Sequence, residues 1–140
     1  MATPPLGTLT CDMMATIDLD AAVPDAAPGA GIIIATGARF DAAHADHWLQ
    51  HATFTLSETE TTDRRVITVA SVPEALAEIT DRCARWPQAA AICDDVLRAV
   101  DPAAPAWSGV VTESLAYSVL QAGPEFAGWL AARGPAAVPE

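Results

Sequence analysis

Three histidines, His44, His47 and His51, stand three and four residues apart, so a helix projects all of them from one side, as metal-ligating histidines often are. The pattern lacks the glutamate between histidines that a zinc hydrolase uses as its base. It reads as a solvated helix face holding no metal. Cys83 and Cys93 fall on apolar stripes, where a thiol packs instead of reacting. Cys11 is remote from both, and no C-x-x-C pair occurs, which argues against a disulfide framework or a structural zinc site. Asp94 and Asp95 are adjacent; on a helix their side chains diverge by about 100°, so they form no carboxylate dyad. Both, with Arg98, are expected to face water. All seven basic residues are arginines, which removes a Walker-type phosphate lysine, a Schiff-base lysine and a lysine general base. The residues assemble no catalytic constellation, and no cofactor is expected.

A richer row runs from Thr112 to Ser118. Glu113 and Tyr117 are four apart on one helix face, with Ser114 and Ser118 beside them. Glu113 and Ser114 are therefore the candidates for contacting a polar ligand; the alternative is a half-exposed helix whose Tyr117 buries its ring and keeps its hydroxyl wet. Trp48, Trp86, Trp107 and Trp129 are a heavy tryptophan load for one small domain. Together with Phe126 they suggest an interface.

The elements that must position these residues follow from periodicity. Odd positions from Leu9 to Leu19 are apolar and the even ones largely polar, the period of a strand with one buried face. Residues 21–30 hold two prolines and one glycine and read as a connection. Gly31 to Thr36 places three isoleucines in a row, as a centrally placed strand covered on both faces does. Asp41 to His51 reads as a helix capped at Asp41, and Ala52 to Ser57 as a strand turning Ala52, Phe54 and Leu56 inward. Val66 to Ala70 is expected to pair with it as a hairpin across a polar, mobile loop.

The second half changes period. Ser71 with Glu74 forms a capping box before Val72, Leu76, Ile79, Cys83 and Trp86 at helical spacing. Pro87 opens a second helix with Ala89, Ile92, Cys93, Val96, Leu97 and Val100 inward. A third, capped by Ser108, turns Val111, Leu115, Val119 and Ala122 inward, and Gly123-Pro124 separates it from a last helix, Glu125 to Arg133. The expected fold is α+β, a single domain over 1–133 with about four N-terminal strands and C-terminal helices packed on one sheet face, followed by a flexible tail, 134–140.

Eighteen acids against seven arginines give a formal charge of −11, a field that repels nucleic-acid phosphates and anionic lipid surfaces. Neither nucleic acid nor membrane is expected as a partner. The uncharged start of the chain and the lack of a long apolar run point to a cytoplasmic protein. The alanine-rich, lysine- and asparagine-free composition is that of a GC-rich genome.

The segments Thr16-Ile17-Asp18-Leu19-Asp20, Ile32-Ile33-Ile34, Ala52-Thr53-Phe54-Thr55-Leu56, Pro73-Glu74-Ala75-Leu76 and, most specifically, Glu113 through Phe126 together resemble the N-terminal region of actinobacterial enoyl-CoA hydratase/isomerase (crotonase) family proteins. In the longer proteins this region precedes the catalytic domain. The resemblance implies that the chain lacks the part supplying the oxyanion hole and catalytic acids. A segment from Thr36 to Asp46 echoes a crotonase oxyanion segment but lacks its Ser-Ala-Gly core and the second Gly-Gly donor. What the resemblance implies is a non-catalytic accessory subunit associating with a separately encoded crotonase-type enzyme acting on an acyl-thioester, with an acyl-CoA in the complex and Tyr117, Phe126 and Trp129 facing the partner. The alternative is a stand-alone small-molecule or acyl-CoA-binding domain or small enzyme.

Overall fold

Residues 14–21, 31–40 and 43–134 are described by the structure, a computed structural model. The expected strand residues before Met14, the connection over 22–30, the Asp41 cap, Cys11 and the tail beyond Gly134 lie outside them. By its contacts the chain falls into two compact units, Met1–Arg85 and Trp86–Glu140, where the sequence reading draws one domain over 1–133.

In the first unit, strands β1 (Met14–Asp18), β2 (Ile32–Thr36), β3 (Phe54–Ser57) and β4 (Ile67–Thr68) form one sheet in that order. Helices α1 (Ala43–His51) and α2 (Val72–Arg85) belong to the same unit. Strands precede the main helical run, so the α+β class expected from the sequence holds. The period-two stretch buries Ile17 and Leu19, and the isoleucine run is the covered inner strand β2, with Ile32, Ile33, Ile34 and Ala35 all buried. Ile17, Leu19, Ile33, Ala35 and Trp48 make one core cluster, with Phe40 and Ala52 packed on it.

Two strand expectations are corrected. Thr55, Leu56 and Ser57 are all buried, so β3 is covered on both faces and does not alternate. β3 and β4 do not form the expected hairpin: among the described residues every pairing is parallel, Leu56 lying beside Ile67 and Ser57 beside Thr68. Residues 58–66 carry the chain back to the start of a four-residue strand, a return that nine residues span with length to spare. The polar residues of this return are bonded together. Arg65 pairs with Asp63 at 2.7 Å and with Asp46 of α1 at 3.0 Å.

Hydrogen bonds from the side chain and backbone N–H of Arg65 hold the Asp63 carboxyl down at about 2. Because its folded value lies below the ordinary 3.8, the stabilising contribution is complete above that ordinary value and is lost as pH falls through about 2. We expect an NMR titration to place the Asp63 midpoint near 2 and Arg65→Ala, which removes the guanidinium bonds but keeps the backbone N–H bond, to raise it toward the ordinary value without reaching it. An unchanged midpoint in the variant would show that the guanidinium is not the cause.

The start of α2 carries the expected cap. The Ser71 hydroxyl accepts the Glu74 N–H at 3.3 Å, and Glu58 accepts the Val72 N–H at 2.8 Å, so two of the orphan donors at this helix end are satisfied. Ser71→Ala is expected to cost about 1 kcal/mol, read as a lowered denaturation midpoint. Val72, Leu76, Ile79 and Cys83 form its half-buried stripe.

In the second unit, α3 (Pro87–Ala99) packs on α4 (Ala106–Ala122), which packs on α5 (Pro124–Arg133). Here the inward faces differ from those expected. Cys93 is exposed, as are Leu97 and Val100, whereas Asp94, expected to face water, is buried and bonded to Arg98 at 2.8 Å. On α4, Val111, Leu115, Val119 and Ala122 point outward. Its half-buried row is Gly109, Thr112, Ala116 and Leu120, because small side chains at the contact let neighbouring helices approach closely. Ser108 is not the cap. The helix begins after Pro105, and the Ser108 hydroxyl donates to the Pro105 carbonyl at 2.8 Å.

Candidate functional site

The second unit forms a groove of about 480 Å³ lined by Trp86, Ala89, Tyr117, Leu120, Gln121, Glu125, Phe126 and Trp129. Three sequence features build it. Pro87 fixes the first turn of α3 and leaves Trp86 just outside it; Tyr117, Leu120 and Gln121 recur at three- and four-residue spacing on α4; and the Gly123-Pro124 break turns α5 back so that Phe126 and Trp129 reach the same space.

Glu125 is the polar anchor of this groove. Its carboxylate accepts the backbone N–H groups of Gln88 at 2.6 Å and Ala89 at 3.0 Å. These are orphan donors in the first turn of α3, which has no side-chain cap of its own. A negative charge at a helix N-terminus is also favourable to the helix dipole. Around it the aromatic rings are ordered by contact with one another. Phe126 and Trp129 stack with centroids 5.7 Å apart, the Arg133 guanidinium lies 5.2 Å from the Trp129 ring, and Gln121 donates to the Tyr117 hydroxyl at 2.9 Å. The rings leave much of their surface to water, Tyr117 being 62% and Trp129 42% exposed.

The structure therefore brings Tyr117, Phe126 and Trp129 together and places Glu113 and Ser114 elsewhere. Glu113 borders a second depression, about 380 Å³, between the end of α3 and the start of α4. The Ser114 hydroxyl donates to the Val110 carbonyl at 2.7 Å, which leaves only its acceptor capacity toward solvent. Gln121 and Glu125 are lining residues that the sequence pattern does not single out, while Trp86 is one of the four tryptophans expected at an interface. The signal for Glu125 is its place in the first turn after Gly123-Pro124; its partners, 36 and 37 residues away, carry no local pattern.

The remaining candidates in the first unit are tied into the fold. The Asp20 carboxylate accepts the N–H groups of Ala38 and Arg39 at 3.0 Å each, and Arg39 also bonds the Asp20 carbonyl. Burial pushes the Asp20 carboxyl up, but these N–H bonds and the Arg39 guanidinium outweigh it and hold the carboxyl below its ordinary value. Gly37 permits this turn: at φ +150° a Cβ would stand 3.0 Å from that of Leu19. The Ala38 and Arg39 amides of the segment that echoes an oxyanion hole are thus engaged by a carboxylate. His47 and His51 stack with centroids 4.3 Å apart, and His51 Nδ1 lies 2.7 Å from the His47 carbonyl; the His44 side chain lies outside the described residues. Among the described residues no three His, Cys, Asp or Glu side chains gather, and no helix is long and apolar enough to cross a membrane.

No protein-family model, curated protein or solved structure matches the chain.

Proposed function

We propose that this chain is a non-catalytic accessory subunit that docks onto a crotonase-type, enoyl-CoA hydratase/isomerase-like protein acting on an acyl-thioester. The observation that carries this reading is the open aromatic groove. Trp86, Tyr117, Phe126 and Trp129 converge on it, and rigid aromatic side chains left part-exposed in one patch are the residue types that dominate binding energy at protein interfaces. The class of partner comes from the resemblance, whose most specific stretch, Glu113 to Phe126, supplies most of the groove. In such a complex the partner provides the acid, the base and the oxyanion donors, while this chain provides a docking surface held open by the Glu125 cap.

A groove of about 480 Å³ is also within the range of small-molecule sites, which favours the second reading, an acyl-CoA-binding domain acting alone. One experiment separates them. A tagged form of the chain is co-expressed with a crotonase-type protein encoded beside it, and the isolated chain is titrated with an acyl-CoA while its tryptophan fluorescence is followed. Co-elution with no fluorescence response supports docking. Saturable quenching by the acyl-CoA without co-elution would replace docking with the second reading.

A further inference from the structure

The outward face of α4 poses a separate question. A helix apolar on all sides is ordinarily buried, and α4 carries one charged residue in seventeen, Glu113. Yet Trp107, Val110, Val111, Leu115 and Val119 are between 39% and 73% exposed. Trp107, Val110, Val111 and Leu115 lie on the side away from the half-buried row of Gly109, Thr112, Ala116 and Leu120, and Val119 lies at its edge.

We infer that this face pairs with the same face of a second copy, α4 against α4, in an antiparallel two-fold dimer. Two adjoining rows at four-residue spacing make up the face. One is bulky, Trp107, Val111, Leu115 and Val119; the other, Val110, Ser114, Ser118 and Ala122, is small over most of its length. A two-fold axis passing between Ser114 and Leu115 sets Trp107 against the partner's Ala122, Val111 against the partner's Ser118, and Leu115 against the partner's Ser114. Large meets small at each of these three positions, the fourth pair sets Val119 against the partner's Val110, and the reciprocal pairs repeat by symmetry, as an isologous interface requires. A parallel pairing would set Trp107 beside Trp107 and leave a gap at Ser118 and Ala122.

Charge selects the same face. Each copy carries −11, so two copies repel wherever they meet through charged surface. Both rows are free of charge, and Glu113 lies outside them. The two rows together offer on the order of 600 Å² per copy, which meets the lower end of what a specific interface buries on each partner. The contact uses other α4 residues than the aromatic groove, to which α4 contributes Tyr117, Leu120 and Gln121.

Sedimentation equilibrium on the whole chain over micromolar to millimolar concentration tests the pairing. The expected mass is twice the 14.5 kDa of one chain. Ser118→Arg adds a cation at a position exposed in the single copy and is expected to weaken dimerisation at least tenfold, with the circular-dichroism melt of the chain unchanged at low concentration. Trp107→Ala is expected to weaken it in the same direction. A monomer throughout the range overturns the proposal, as does a dimer that both variants leave intact. A monomer whose melt falls on Ser118→Arg overturns it too, and assigns the face to the 1–85 unit of the same chain.

Discussion

Ile34→Ala is expected to destabilise the protein by about 2–5 kcal/mol, while Leu97→Ala changes stability by no more than about 0.5 kcal/mol. Ile34 is completely buried in β2, between two neighbouring strands, whereas Leu97 is 62% exposed on α3. Truncating Ile34 removes apolar surface that folding takes out of water and leaves a cavity that the parallel ladder on both sides is poorly able to close. Truncating Leu97 removes surface that water already reaches. Since small domains are stable by only about 5–15 kcal/mol, the first change should lower the urea midpoint of the first unit severely. Equal effects of the two substitutions would mean that Leu97 belongs to the core, as its place in an apolar stripe implies from sequence.

That contrast marks what was legible. Alternation located β1, and three consecutive isoleucines identified a strand covered on both faces; both patterns depend only on which sides of a strand are dry. Chain direction is different. Alternation is the same whether a neighbour runs parallel or antiparallel, so the hairpin expected between β3 and β4 had no local evidence against it. Periodicity failed differently on α3 and α4. On a helix that is apolar nearly all round, the spacing of large residues does not say which side faces inward; on α4 the decision fell to Gly109, Thr112 and Ala116, whose small size permits close helix approach. Asp94 could be buried because Arg98, one turn on, pairs with it at 2.8 Å. The aromatic content of the candidate site was readable, and so was the Gly123-Pro124 break. The Glu125 cap that fixes α5 to α3 was not, since it joins residues with no sequence relation.

Trp129→Ala is expected to weaken association with the proposed crotonase-type partner tenfold or more, about 2 kcal/mol if the ring is central to the contact, while the isolated chain stays folded. The argument rests on where the ring is. Trp129 is 42% exposed and touches Phe126 and Arg133, so its removal costs the single chain less than the roughly 3–5 kcal/mol lost when a buried aromatic is truncated. Phe126→Ala should weaken association similarly but lower the melting temperature more, because Phe126 is the less exposed member of the stacked pair. Tyr117→Phe gives a graded control: it keeps the ring and loses the hydroxyl that accepts from Gln121, so binding should fall only if the partner also uses that hydroxyl. Melts measured beside pull-down with the partner divide the outcomes. Folded variants that bind normally would remove the groove from the interface, and variants that unfold would return these rings to the core of the second unit. A folded Trp129→Ala with binding lost would locate the contact in the aromatic groove.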